Sequence, residues 1–360
     1  MVGPVRPERF LCSRSVPLQT RGRSPTGCRR LGRGGTVKAP GSLSRNVWLR
    51  LVVAVVITAG MTALIAAKVD VGAMGGYLAA ARPGWLAAAA LLVPVISLLR
   101  GIRLAIVVRR PPTPPLLAIS VLHNFIASVA PMRSGELALP LLLRRLGIDT
   151  WHSAGLLLAL RGYDLLAVLF FGGVATAWLG PMIPALDPLV PAAVALAIGA
   201  TLAALLLPRV VAALHRLVAS FAERPWMARL DRPLCGILSG VDRRRGLWVL
   251  YLVSLLTFAV NFTFFHWCAI ALGADQHPMV TMFCGCAAVL AFVLPINGLA
   301  SFGPIQGAWT ATAVLAGVPA ELAFATSVLM HALFLAASGG LALISLVLLP
   351  RPEQSGPGGP

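Results

Sequence analysis

Arg133 and Glu136 stand three residues apart in the segment Pro131-Met132-Arg133-Ser134-Gly135-Glu136, which separates the apolar stretches 115-130 and 137-143. On a helix such a pair shares one face, and the guanidinium can fork onto the carboxylate or onto a phosphate. Gly135 beside them allows close backbone approach or a positive φ. Arg161 and Asp164 repeat the spacing inside another apolar run, 153-179. Burial of either one alone is costly, so the expected arrangement is a mutual pair, or one that reaches Glu136 or Arg133. For both pairs two readings stay open: a headgroup-binding or gating group, and a structural salt bridge.

A second interruption carries Pro295, Gly298, Gly303, Pro304 and Gly307, decorated by Asn297, Ser301 and Gln306. Amides and hydroxyls there can bind a polar headgroup or bond across helices. His123 and Asn124 precede the first break and could face the same cavity or simply satisfy core bonds. Asn261 and His266 read as interhelical bonds, and Tyr163 as packing.

The elements that must position these groups follow from composition. With 58% hydrophobic residues, 12% charged residues and a mean hydropathy of +0.85, the chain lies far from the roughly 25% charged fraction of soluble domains. It is an integral membrane protein. The predicted fold is all-α, a polytopic transmembrane helix bundle of about six full spans plus two broken or re-entrant segments. Runs long enough to cross about 30 Å of hydrocarbon occur at 47-67, 84-106, 153-179, 188-208, 246-272 and 322-349. The stretches 113-130 and 278-318 are also apolar but are broken by Pro131 in the first and by the Pro and Gly residues of the second. Broken backbone at membrane depth persists only where protein or water satisfies its polar groups.

Residues 1-46, rich in Arg, Gly, Pro and Ser, are predicted to be a disordered basic cytoplasmic tail, 47-349 the transmembrane domain, and 350-360 a disordered C-terminal tail. The first apolar run begins near Val47, too late for a cleaved signal peptide, and is read as a retained helix. The 30 basic residues against 12 acidic give a net charge of +18. They form no exposed stripe with interleaved aromatics, so nucleic acid is not an expected partner. Eleven basic residues in 1-50, four in 100-110 and eight in 209-245 put these segments on the cytoplasmic side; 69-83, 180-187 and 273-277 carry only Arg82, Asp70, Asp187 and Asp275. The six cysteines include no CxxC pair, so neither a disulfide framework nor a zinc site is expected, and no cofactor is implied. Enzyme fingerprints are absent. A weak internal echo links VAPMRSGELAL at 129-139 with VLPINGLASFGPI at 293-305; paired broken segments point to the substrate site in inverted-repeat transporters.

Together these residues resemble the flippase-like family typified by the membrane region of lysylphosphatidylglycerol synthases. The likeness rests on Arg100 and Arg103 ending a helix, PMRSGELALPLLLRR at 131-145, the Arg161/Asp164 pair in LALRGYDLLAVL, and LPINGLASFGPIQGAW at 294-309, in order over 47-349. It implies a bundle with re-entrant segments that moves lipids between leaflets, aminoacylated phosphatidylglycerol or polyprenyl-phosphate-linked sugars among the cargoes. Many relatives place a glutamate where this chain has Gln306. The soluble synthase domain of the name-giving enzymes has no counterpart in these residues, so aminoacyl transfer is not expected. The expected function is therefore non-enzymatic translocation of an anionic or polyprenyl-linked lipid in the cell membrane, both termini cytoplasmic. Arg133, Arg161 and Arg100 would attract the headgroup, Glu136 and Asp164 would hold those arginines, and Asn297 and Gln306 would contribute from the second break. The rivals are an accessory or scaffold for a glycosyltransferase or lipid synthase, and an intramembrane enzyme acting on a lipid-linked sugar.

Overall fold

In a computed structural model of the chain, the described residues are Val56, Gly60, 70-220, 244-293 and 299-349; the side chains of 71, 131-133, 208, 211, 212, 214-220, 244-247, 293 and 299 fall outside that description. The span at 47-67, both tails, and Pro295, Asn297 and Gly298 lie outside the described residues, apart from the helical positions Val56 and Gly60. All regular structure among the described residues is helical.

The helices are α1 (Val71–Ala79), α2 (Pro83–Val108), α3 (Pro114–Val129), α4 (Ala138–Leu143), α5 (Thr150–Leu179), α6 (Val190–Ser220), α7 (Arg244–Ala271), α8 (Pro278–Val293), α9 (Pro304–Leu315) and α10 (Ala320–Val347). A tight 3₁₀ segment, Pro131–Leu137, joins α3 to α4, and a shorter one, Leu299–Ser301, precedes α9. Five segments are long and apolar enough to cross a membrane: Pro83–Val108, Thr150–Met182, Asp187–Leu207, Trp248–Ala271 and Ala320–Val347. They correspond to five of the six expected spans. The helices α3 and α8, 16 residues each, reach only about 24 Å at 1.5 Å per residue, and each ends at one of the two breaks.

Local chemistry sets several boundaries. Proline opens α2, α3 and α9, where its missing N–H costs nothing. Asp149 caps α5, its carboxylate accepting from the N–H groups of Trp151 and His152 at 3.0 Å. Asp70 caps α1 in the same way, so the segment 69-83, read from sequence as a loop, contains a helix.

The helix ends also correct the reading of Arg100 and Arg103. They do not end a helix: α2 continues to Val108, with Arg109 in the left-handed region as its C-cap. The count of four loop arginines over 100-110 therefore falls to two, Arg109 and Arg110, both exposed. Likewise α6 runs through Pro208 to Ser220, which shortens the predicted 209-245 loop.

In the packed bundle α2 lies along α7, α5 along α6, and α8 against both α5 and α9, while α10 packs on α1, α3 and α9. The main apolar core gathers Val93 and Ile96 of α2, Phe264 of α7, Cys284 of α8, Trp309 of α9 and Met330 of α10. A smaller core, Leu104, Ile119, Leu139 and Leu143, binds the two sides of the first break to α2. Trp151 and Trp178, near opposite ends of α5, stand about 40 Å apart along its axis, a spacing suited to the two interfaces of a bilayer.

Candidate functional site

Arg161 and Asp164 project from α5 about 15 and 20 Å along its axis from Trp151, and so lie near mid-depth. At that depth a charge needs partners, and the fold brings them from three other elements. The first is the break itself. Glu136 accepts from Arg161 through both oxygens, Nη2 to Oε1 at 2.6 Å and Nε to Oε2 at 3.2 Å, a bidentate fork. Arg161 Nη1 also donates to Asp164 at 3.1 Å. From α2, Arg103 pairs with Asp164 at 2.6 Å and donates to the Leu160 carbonyl at 3.2 Å. From α3, His123 Nε2 stands 3.7 Å from Glu136.

The first break can approach this closely because of Gly135. A Cβ there would fall on the Ile126 carbonyl and within 2.6 Å of the Ala127 Cα, so the 3₁₀ turn lies directly on the end of α3. The spacing of Arg133 and Glu136 suggested a mutual fork; in the structure Glu136 is forked by Arg161, whose guanidinium comes from a different helix. The side chain of Arg133 lies outside the described residues.

The second break meets the first. Ser301 Oγ donates to the Ser128 carbonyl at the end of α3, 2.9 Å away. Ala300 and Ser301 both adopt positive φ, 50° and 61°, a conformation unfavourable for side-chain-bearing residues, and His331 of α10 contacts the Ala300 carbonyl at 2.8 Å. Gly303, with φ of 109°, turns the chain into α9, and the buried Gln306 Oε1 accepts from its N–H at 2.8 Å. Gln306 is thus the cap of α9. Its amide nitrogen has no partner among the described residues.

Between the breaks and α5 lies a cavity of about 390 Å³. Arg100, Asn124, Arg161 and Asp164 form a polar group in its lining, and Asn261 lines it as well. Phe258, Phe265, Ile305 and Phe334 form apolar walls. Arg100 is the unusual member: it has no ion-pair partner among the described residues, donates to Asn124 Oδ1 at a long 3.4 Å, and lies 5.9 Å from the Phe334 ring centre. The lining of the cavity reaches the bundle surface at Leu158 and Leu165 of α5 and Leu290 of α8, all exposed.

Sequence reasoning missed Arg103 as a partner of Asp164, and missed His331 and Phe334. The arginine left a signal, since it fell inside the predicted span 84-106 and could have been treated as a charge at membrane depth. His331 and Phe334 left none, because their role comes from where α10 packs. His266 bonds Thr281 at 3.1 Å, and Tyr163 is fully buried with its hydroxyl 3.5 Å from the Ala204 carbonyl. No group of three or more His, Cys, Asp or Glu side chains suited to a metal occurs among the described residues.

A polytopic helical bundle with a charge cluster at mid-depth, two abutting helix breaks and an amphipathic cavity that reaches the bundle surface defines a membrane-embedded protein built around a buried polar site. Residues 48–339 match the family described as lysylphosphatidylglycerol synthase TM region, and the chain belongs to that family. No curated protein and no solved structure matches the chain.

Proposed function

We infer that this protein is a non-enzymatic translocator of an anionic or polyprenyl-phosphate-linked lipid across the cell membrane. The cavity carries this reading. Its polar group presents Arg100 and Arg161 to a headgroup, its apolar walls suit hydrocarbon, and the exposed leucines of its lining let acyl chains remain in the bilayer. Family membership supports the reading. The excess of arginine in the tail, at Arg109 and Arg110, and in 209-245 favours both termini on the cytoplasmic side.

Each acidic group has a task in this scheme. Glu136 and Asp164 hold Arg161 and Arg103 in place, and Arg161 can change its share of the two carboxylates as a phosphate approaches. Partner exchange of that kind supplies the differential affinity between states that a two-state transporter requires.

Arg100 gives the cleanest test. Replacing Arg161 and Asp164 together by apolar residues would take the fork from Glu136 and the counter-charge from Arg103, and so confuse lost transport with lost fold. Arg100→Gln strands no carboxylate. In vesicles with leaflet-resolved anionic lipid, Arg100→Gln is expected to slow transbilayer movement at least about tenfold while the thermal midpoint stays within about 3 °C. Wild-type movement in that variant would overturn the reading and leave the ion pairs a structural role, as in a scaffold for a lipid- or glycan-modifying enzyme. Turnover of a lipid-linked sugar by purified protein in detergent, where no leaflets exist, would mark an enzyme instead.

A further inference from the structure

Beside the headgroup end of the cavity lies a second void of about 40 Å³, walled by Arg100, Arg103, Ser120, His123, Arg161 and Asp164. It exceeds the roughly 10–15 Å³ that one water requires, and it is of the size of a single small ion. Two of its wall side chains are more than nine-tenths buried and carry a nitrogen without a partner among the described residues. These are Nε of Arg103, 3% exposed, and Nδ1 of His123, 5% exposed. An arginine Nε carries a hydrogen and accepts nothing, so the unmet need at Arg103 is for an acceptor. The tautomer of His123 protonated at Nδ1 adds a second donor.

Charge points the same way. Among the described side chains, Arg100, Arg103 and Arg161 face Glu136 and Asp164, three positive against two negative, an excess of one positive charge at mid-depth. The nearby carboxylates are already ion-paired, Asp164 with Arg103 and Arg161 and Glu136 with Arg161; Asp164 Oδ1, which also lacks a hydrogen bond among the described residues, has its charge met by Arg103 Nη1 2.6 Å away. A water in the void would satisfy Arg103 Nε but leave the charge, and an uncompensated charge at that depth is expensive. An anion meets both needs.

We propose that this void is a binding site for a small monovalent inorganic anion, chloride being the probe, held by Arg103 Nε–H between the guanidinium groups of Arg100 and Arg161. The ion is the counter-charge of the empty site. Because Arg100 and Arg161 also line the larger cavity, an arriving anionic headgroup competes with the ion for the same charge, and the ion departs as the headgroup enters. That exchange rests on the lipid reading; the ion site itself does not.

The test is thermal unfolding of the purified full chain in neutral detergent while chloride replaces gluconate at constant ionic strength. The expected result is a saturable rise in midpoint with chloride, reproduced by bromide, and about tenfold weaker apparent affinity in Arg103→Lys, which keeps the charge opposite Asp164 but lacks Nε–H. Identical midpoints of the wild-type chain in chloride and gluconate would overturn the proposal and assign the void to water, whether or not the variant folds. Short-chain phosphatidylglycerol is expected to weaken the chloride response, and an unchanged response overturns the exchange. A chain that moves lipid without any halide response overturns the ion site alone; one that binds halide yet moves no lipid overturns only the translocator.

Discussion

The two helix breaks are built on one plan and held by different forces. In each, a 16-residue helix, α3 or α8, stops short of a full crossing and a 3₁₀ turn leads toward a second helix. At 131–137 the turn is tied to the bundle by charge, through Glu136 forked by Arg161 of α5. Around 299–306 it is tied by the backbone, through Gln306 capping Gly303, Ser301 reaching the Ser128 carbonyl, and His331 at Ala300. Charge at mid-depth is expensive and responds to another charge; a neutral cap is cheap and indifferent to one. On the proposed translocation, the first break is therefore the part that would respond to an anionic headgroup, and the second is the part that keeps its frame.

That contrast predicts a graded series of effects on thermal unfolding in detergent. Arg161→Ala should be the most damaging, about 3–5 kcal/mol, because it removes the bidentate fork on Glu136 and leaves Asp164 to Arg103 alone. A loss below about 1 kcal/mol would show that the first break is not held by charge. Gly135→Ala comes next, at about 1–3 kcal/mol, since the new methyl group must displace the backbone of Ile126 and Ala127. An unshifted midpoint there would remove close approach as the reason for the glycine. Gln306→Ala should cost about 1 kcal/mol, the usual value of a lost cap, and the loss should be the same at low and high salt. The salt comparison sharpens the contrast: a salt-dependent loss at Gln306 would mean that the second break is also electrostatic.

How much of the site was legible beforehand depends on the kind of signal each residue left. Glu136, Arg161 and Asp164 stood out because ionised groups inside apolar runs are conspicuous, and the prediction that Arg161 would reach Asp164 or Glu136 matches the geometry, with both contacts present. Arg103 was counted with the cytoplasmic charge of 100-110 although it lay inside the predicted span 84-106; α2 carries both arginines within the helix and ends only at Val108. The short echo between 129-139 and 293-305 indicated two similar breaks but not that they touch. Their contact through Ser301 and Ser128 joins residues 173 positions apart, a distance over which periodicity carries no information. Gln306, expected as a headgroup ligand, caps α9 through its side-chain oxygen, a role visible only once Gly303 is seen at positive φ.

By itself the sequence determined that this is a helical membrane protein, where most of its spans run, that two of its helices are interrupted, and that a few charges sit at a depth where they must be paired. It did so because hydrocarbon thickness, the cost of buried charge and the missing N–H of proline act on local stretches of chain. Only the tertiary structure decided which charges pair, that Arg100 is left facing a cavity, and that the two breaks form one site. Those outcomes depend on how α2, α3, α5 and α10 pack side by side, and packing between distant segments is written in no single stretch of sequence.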